Sequence, residues 1–198
     1  MIGFVKETKE IYRLKVPFMS VYTSVFLIDT PEGYILVDAA TTKEDVDEVI
    51  MPSLRGLGVS AESVKGIVIT HSHGDHAGGL ARILEHMPNI EVIREPKRLS
   101  DGVFAYPLPG HTKDFVGVLD ERSNTLISGD GLQGAGIKKF RTSLETKEGY
   151  LHTLEAIKAD ARIENILFSH AYEPWYEDRM IGREAVLSCL EECKKYIV

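Results

Sequence analysis

The spacing of apolar and polar positions changes several times along the chain, and each change marks an element. Ile11, Leu14 and Val16 read as an early strand closed by Pro17. Residues 20–29 and 33–38 form two apolar runs, joined as a hairpin by Asp29-Thr30-Pro31-Glu32-Gly33. Thr42 precedes Lys43, Glu44 and Asp45, and acids in a first turn favour a helix start. Val46, Val49, Ile50 and Leu54 keep helical spacing there, with Pro52 disturbing the last turn. Residues 64–70 predict a short buried strand, and residues 77–87 a helix ended by Pro88.

The rest of the chain repeats this plan. Strands are predicted over residues 91–94, 103–106, 115–119 and 125–128, the last two joined by a turn over 120–124. A long loop covers 129–143, followed by a helix over 147–159, a strand over 165–168 and an amphipathic helix over 182–196. Strand-rich stretches followed by a helix, twice over, predict an α/β chain with two packed sheets and helices outside.

Composition narrows the class. A length of 198 residues fits a single domain over 1–198. With 43% hydrophobic and 27% charged residues the chain reads as globular, which excludes disordered, collagenous and coiled-coil readings. The formal charge of −7 gives no general attraction to nucleic acid or anionic lipid. The longest apolar runs, such as Val25-Phe26-Leu27-Ile28, are far short of the roughly 20 residues that span a bilayer. The charged start of the chain lacks the apolar core of a signal peptide. The expectation is a cytoplasmic protein with no nucleic-acid or membrane partner. Cys189 and Cys193 are spaced as packing or surface positions of a helix and suit a reducing compartment.

Candidate chemistry concentrates in Thr70-His71-Ser72-His73-Gly74-Asp75-His76-Ala77-Gly78-Gly79, directly after a predicted strand. Residues i and i+2 of an extended segment point the same way, so His71 and His73 can chelate one ion. Asp75 and His76 lie beyond the bend at Gly74 and can hold a second. Gly78 and Gly79 leave room for close backbone approach. His111, Asp130 and His170 each follow an apolar strand or tight glycine turn, a rigid frame for a ligand. Five histidines and two aspartates result. Two divalent ions would bring +4, and two carboxylates with one bridging hydroxide −3, leaving an electrophilic site suited to hydrolysis. His86 and His152 read as ordinary helix-surface histidines.

The ordered set His71-x-His73-x-Asp75-His76, His111, Asp130, His170 resembles the metallo-β-lactamase-fold hydrolase superfamily, over about residues 20–175. The resemblance implies a four-layer αββα sandwich. It implies that His71, His73 and His111 hold one ion, Asp75, His76 and His170 a second, and that Asp130 bridges. Asp38 matches an acid that steadies the ligand loop, although this chain has Asp38-Ala39-Ala40 where relatives often carry Asp-Thr-Gly. By the resemblance, an aspartate at position 130 points toward glyoxalase II-like, lactonase-like or phosphodiesterase-like members, and the 40 residues from there to His170 leave no room for the extra nuclease domain of RNA-processing relatives.

The function expected is hydrolysis of a small-molecule ester, thioester or lactone by a metal-bridging hydroxide, with two divalent ions, zinc first and iron or manganese possible. Asp75 is also a candidate for orienting the nucleophile. Tyr172 and Trp175 are candidates for the pocket wall, and Lys138, Lys139 and Arg141 for an anion clamp. Two other readings remain open: an iron-dependent redox enzyme, such as a persulfide dioxygenase or di-iron oxygen-binding protein, and a catalytically idle metal-binding or sensing module.

Overall fold

A computed structural model describes residues 2–195 and 197. They fold as two compact units that divide between Arg94 and Glu95. Each unit holds a six-stranded mixed sheet with its own helices. No helix of the described residues is long and apolar enough to cross a membrane.

In the first unit the strands are β1 (Val5–Lys6), β2 (Ile11–Phe18), β3 (Val21–Thr30), β4 (Gly33–Val37), β5 (Val64–Val68) and β6 (Glu91–Ile93), adjacent in that order. β1 to β4 are antiparallel, while β4, β5 and β6 run parallel. Pro17 lies inside β2 rather than closing it. It pairs with Tyr22, beyond the reach of β1, which pairs with Tyr12 and Arg13, so its missing N–H falls on an edge. The predicted hairpin is present, with the Thr30 hydroxyl donating to the Gly33 carbonyl at 2.7 Å.

Thr42 opens the next helix as expected: its Oγ1 accepts from the Asp45 N–H at 3.1 Å, and Asp45 Oδ2 accepts from the Thr42 N–H at 2.9 Å. The helix is π-helical over Asp45–Ile50 and continues as α1 (Met51–Gly56), with Pro52 in the first turn of α1, where a missing N–H is tolerated. The helix predicted over 77–87 is two pieces, α2 (Gly74–Ala77) and α3 (Leu80–His86). The two glycines between the pieces are required by close backbone approach. A Cβ on Gly78 would lie 2.0 Å from the Thr41 carbonyl oxygen, and one on Gly79 would lie 2.2 Å from that of Ala39. Leu14, Leu27, Leu36, Ile50, Leu54, Ile67 and Ile83 form the core between sheet and helices.

In the second unit the strands are β7 (Lys97–Ser100), β8 (Val103–Pro107), β9 (Val116–Asp120), β10 (Thr125–Gly129), β11 (Asn165–Phe168) and β12 (Arg179–Ile181), again adjacent in sequence order. Only the β10–β11 pair is parallel. Its helices are α4 (Lys147–Ala159) and α5 (Arg183–Lys194), and a short 3₁₀ turn, Ala135–Ile137, interrupts the predicted loop. Tyr196, the last residue of the predicted final helix, lies outside the described residues. Thr146 caps α4 by accepting from the Gly149 N–H at 3.2 Å. At its other end the Arg183 guanidinium donates to the carbonyls of Ile157, Lys158, Asp160 and Ile163. Leu119, Leu126, Phe168, Tyr150, Leu154, Val186 and Leu190 build this core. Cys189 and Cys193 are buried in it as free thiols, so their packing role is the one realised.

The units share one arrangement. Each has a parallel strand pair whose carboxyl ends carry chemistry: Asp38 and His71 beyond β4 and β5, Asp130 and His170 beyond β10 and β11. Loops at the carboxyl ends of parallel strands are where open α/β sheets place ligands.

Candidate metal centre

The first unit gathers His71, His73, Asp75 and His76 around Asp38. Asp38 sits at φ +65°, a left-handed conformation that Asp tolerates better than most residues. It is 1% exposed. Its Oδ1 accepts from the Thr70 N–H at 2.8 Å, and the Thr70 hydroxyl donates to it at 2.9 Å. Its Oδ2 accepts from His76 Nδ1 at 2.7 Å. A carboxylate only accepts, so His76 carries its proton on Nδ1 and keeps the lone pair on Nε2. The Thr70 hydroxyl has spent its single proton on Asp38, so across the 3.1 Å contact with His71 Nδ1 it is the acceptor. His71 therefore also presents an Nε2 lone pair.

His73 precedes the first turn of α2 in extended backbone, so His71 and His73 share a side; their ring centroids are 4.5 Å apart. The His71 and His76 rings are 4.3 Å apart. The Asp75 Oδ2 lies 3.4 Å from His76 Nε2. The segment is fixed from below, since the Ala39 N–H donates to the His76 carbonyl at 2.7 Å and the Asp38 N–H to that of Val68 at 2.8 Å.

The second unit gathers His111, Asp130 and His170. The His111 Nδ1 donates to the Ser143 carbonyl at 2.7 Å, which again leaves the Nε2 lone pair, 3.9 Å from Asp130 Oδ2. His170 Nε2 lies 3.2 Å from Asp130 Oδ1. Imidazole lone pairs beside carboxylate oxygens repel unless a proton or cation stands between them. The donors are imidazole and carboxylate without thiolate, a set that fits zinc, iron or manganese.

Three further groups escaped the sequence reading. Gln133 is fully buried in the loop after Asp130 and donates from Nε2 to the Asp130 carbonyl at 2.8 Å. Ser143 acts through a backbone carbonyl, which no residue pattern reveals. The Tyr150 hydroxyl accepts from the Gln133 N–H at 2.8 Å and donates to the Gln133 carbonyl at 2.9 Å. Burial drives the Tyr150 phenol far above its usual range, so it stays neutral and can do both.

Of the other candidates, Tyr172 lies beside His170. The Tyr172 ring is 6.0 Å from that of His170, and the Lys139 ammonium stands 5.2 Å above it. Lys138, Lys139, Phe140 and Trp175, with Ala135 and Glu192, line a cavity of about 300 Å³. The Phe140 and Trp175 rings are 4.7 Å apart, and Phe140 is 80% exposed. Arg141 is exposed and does not line this cavity. His152 is exposed as expected, whereas His86 is partly buried and pairs through Nε2 with Asp47 at 2.7 Å.

Comparison with known proteins gives these four matches among others. The family model of the metallo-beta-lactamase superfamily matches residues 20–169, more than half of the chain. An atrochrysone carboxyl ACP thioesterase of Pseudocercospora fijiensis is 27% identical over 63% of this chain and 43% of its own length, so the chain spans less than half of that relative. A beta-lactamase-like protein 2 homolog of Caenorhabditis elegans is 27% identical over 89% of this chain and 68% of its own. Among solved structures, the metallo-beta-lactamase FIM-1 from Pseudomonas aeruginosa, in its mono-zinc form, matches with a TM-score of 0.77 and 18% identity, covering 100% of this chain and 96% of that one. The match extends over both units and is a likeness of fold.

Proposed function

The chain belongs to the metallo-beta-lactamase superfamily as one of its enzymes, and from that premise we propose that it is a metal-dependent hydrolase of a small-molecule ester, thioester or lactone. The two units work as one domain over 1–198. His71, His73 and His111 would hold one divalent ion, Asp75, His76 and His170 would hold a second, and Asp130 would be shared by the two. Zinc is the preferred metal, in line with the imidazole-rich donor set.

One observation carries the reading. His71, His76 and His111 each have Nδ1 committed to an acceptor within their own unit, so three Nε2 lone pairs are set before any ion arrives. A histidine that served only packing would have no reason to fix this tautomer three times.

Divalent ions in such a site lower the pKa of water from 15.7 to roughly 7 and polarise a carbonyl. The chain supplies the rest. Asp75, at the entrance of α2 and partly exposed, accepts a hydrogen bond from the attacking water through its carboxylate and aims the lone pair. Asp38 holds Thr70 and His76 in place. Lys138 and Lys139 attract an anionic substituent, while Phe140 and Trp175 wall off its apolar part and Tyr172 stands beside His170 beneath the Lys139 ammonium.

The test is a panel of thioesters, lactones and phosphodiesters against zinc-loaded protein, with elemental analysis after desalting. Turnover of a thioester or lactone with close to two ions per chain is expected. A reproducible single ion, or turnover of none of these classes, refutes the reading.

A further inference from the structure

We propose that Gln133 is a positioning residue for the second unit's donors: its buried side-chain amide fixes the Asp130 backbone and, through Ser143, the tautomer of His111. The inference rests on the reading above that His111 and Asp130 are metal donors.

Every polar atom of Gln133 is engaged. Its Nε2 donates to the Asp130 carbonyl at 2.8 Å. Its Oε1 accepts from the Ser143 N–H at 3.3 Å and from Lys139 Nζ at 3.1 Å. Its own peptide N–H and carbonyl are both clamped by the Tyr150 hydroxyl. A fully buried amide is held in one place only when its partners match, and here they do.

The consequence runs through Ser143, which lies on an exposed stretch of loop. Gln133 holds the Ser143 peptide by its N–H, and the Ser143 carbonyl accepts from His111 Nδ1 at 2.7 Å. Without the Gln133 acceptor that peptide can turn, and the carbonyl that keeps the His111 proton on Nδ1 turns with it. The same amide ties down the backbone of Asp130, so one side chain sets both a lone pair and a carboxylate. Groups that orient metal donors typically matter by about 10–100-fold in metal affinity.

Two variants separate the arms of this link. Gln133→Met keeps length and burial but removes both. Gln133→Glu keeps the acceptor for Ser143 and Lys139 and loses the donor to Asp130. Val186→Ala, in the same core on α5, controls for general destabilisation. The first readout is the imidazole ¹H–¹⁵N spectrum of metal-free protein. Wild type and Gln133→Glu are expected to show a His111 Nδ1–H resonance, and Gln133→Met to lose it. The second is zinc affinity by chelator competition. Gln133→Met is expected to weaken it at least ~10-fold, Gln133→Glu less, and Val186→Ala under twofold. A Gln133→Met protein with both the His111 Nδ1–H signal and wild-type zinc affinity overturns the proposal. Should that variant fail to fold, unchanged zinc affinity in Gln133→Glu overturns it instead. Failure of wild-type protein to bind zinc refutes the proposed function, while the imidazole spectrum still decides the Gln133–Ser143–His111 link.

Discussion

Asp38 offers the sharpest perturbation, because alanine and asparagine should break different things. Alanine leaves the Thr70 N–H, the Thr70 hydroxyl and His76 Nδ1 without their shared acceptor at a site 1% exposed. Each stranded buried group costs about 1–3 kcal/mol, and losing one partner of a buried charged cluster about 3–5 kcal/mol in total. The left-handed backbone at φ +65° adds up to ~1 kcal/mol for alanine over aspartate. Against a typical stability of about 5–15 kcal/mol, Asp38→Ala should be barely folded or unfolded. Asparagine tolerates the backbone and keeps the shape, so its loss is the charge assistance of the bonds, about 1–2 kcal/mol.

The chemical effect of asparagine is larger than the structural one. Its carbonyl must face Thr70, which offers two donors, so its NH₂ faces His76 Nδ1. That nitrogen must then accept, and the proton moves to Nε2, where it blocks the lone pair. Asp38→Asn should therefore fold with a modestly lower urea midpoint and lose roughly 10–100-fold in zinc affinity. Urea denaturation and chelator competition on the same samples give both numbers. Wild-type zinc affinity in a folded Asp38→Asn protein would refute the tautomer argument.

Three more outcomes are expected. Gly79→Ala places a Cβ 2.2 Å from the Ala39 carbonyl oxygen and 2.7 Å from Val46 Cγ2, so a thermal melt should show a loss of at least ~3 kcal/mol, or no folded protein. The Arg162 guanidinium holds the Asp160 carboxyl below its usual range, so its stabilisation is full above the unfolded pKa of about 3.9 and is lost as pH falls through the lower folded value. Asp160→Asn should accordingly flatten the acid limb of the stability–pH curve below about pH 4 and remove some stability at neutral pH. Stripping metal with a chelator should lower the melting temperature of wild type, and adding back zinc should restore it; unchanged melting in both states would count against donor sites coupled to folding.

The elements legible in the sequence are those whose pattern is local. Residues 147–159 and 165–168 form a helix and a strand with the predicted bounds, because apolar spacing over one segment decides both. β1, β7 and β12 were invisible: each is a short stretch that carries lysine or arginine and offers no apolar run, and only pairing with the neighbouring strand defines it. The place of β6 beside β5 was equally hidden, since a parallel crossover leaves no local mark. For the site, residue types and spacing expose the candidate donors. They do not expose what aims them. Gln133 is one glutamine in a glycine-rich loop, and Ser143 contributes only its peptide.

The rims of the two sheets bear on behaviour at high concentration. Unpaired strands offer their free backbone groups to any other chain, and long apolar ones seed fibres. The four outer strands here, β1, β6, β7 and β12, have two, three, four and three residues. Each bears charge: Lys6 on β1, Glu91 on β6, Lys97 and Arg98 on β7, and Arg179 on β12. Two copies meeting rim to rim along the same strand would set like charges together over a ladder too short to repay the contact. β12 is the weakest guard. Arg179 alone interrupts what would otherwise be an apolar ribbon with Met180 and the 63% exposed Ile181. The Arg179 Nε pairs with Asp178 Oδ1 at 3.0 Å, so the guard on this rim is an ion pair at the start of the strand, remote in role from the histidines.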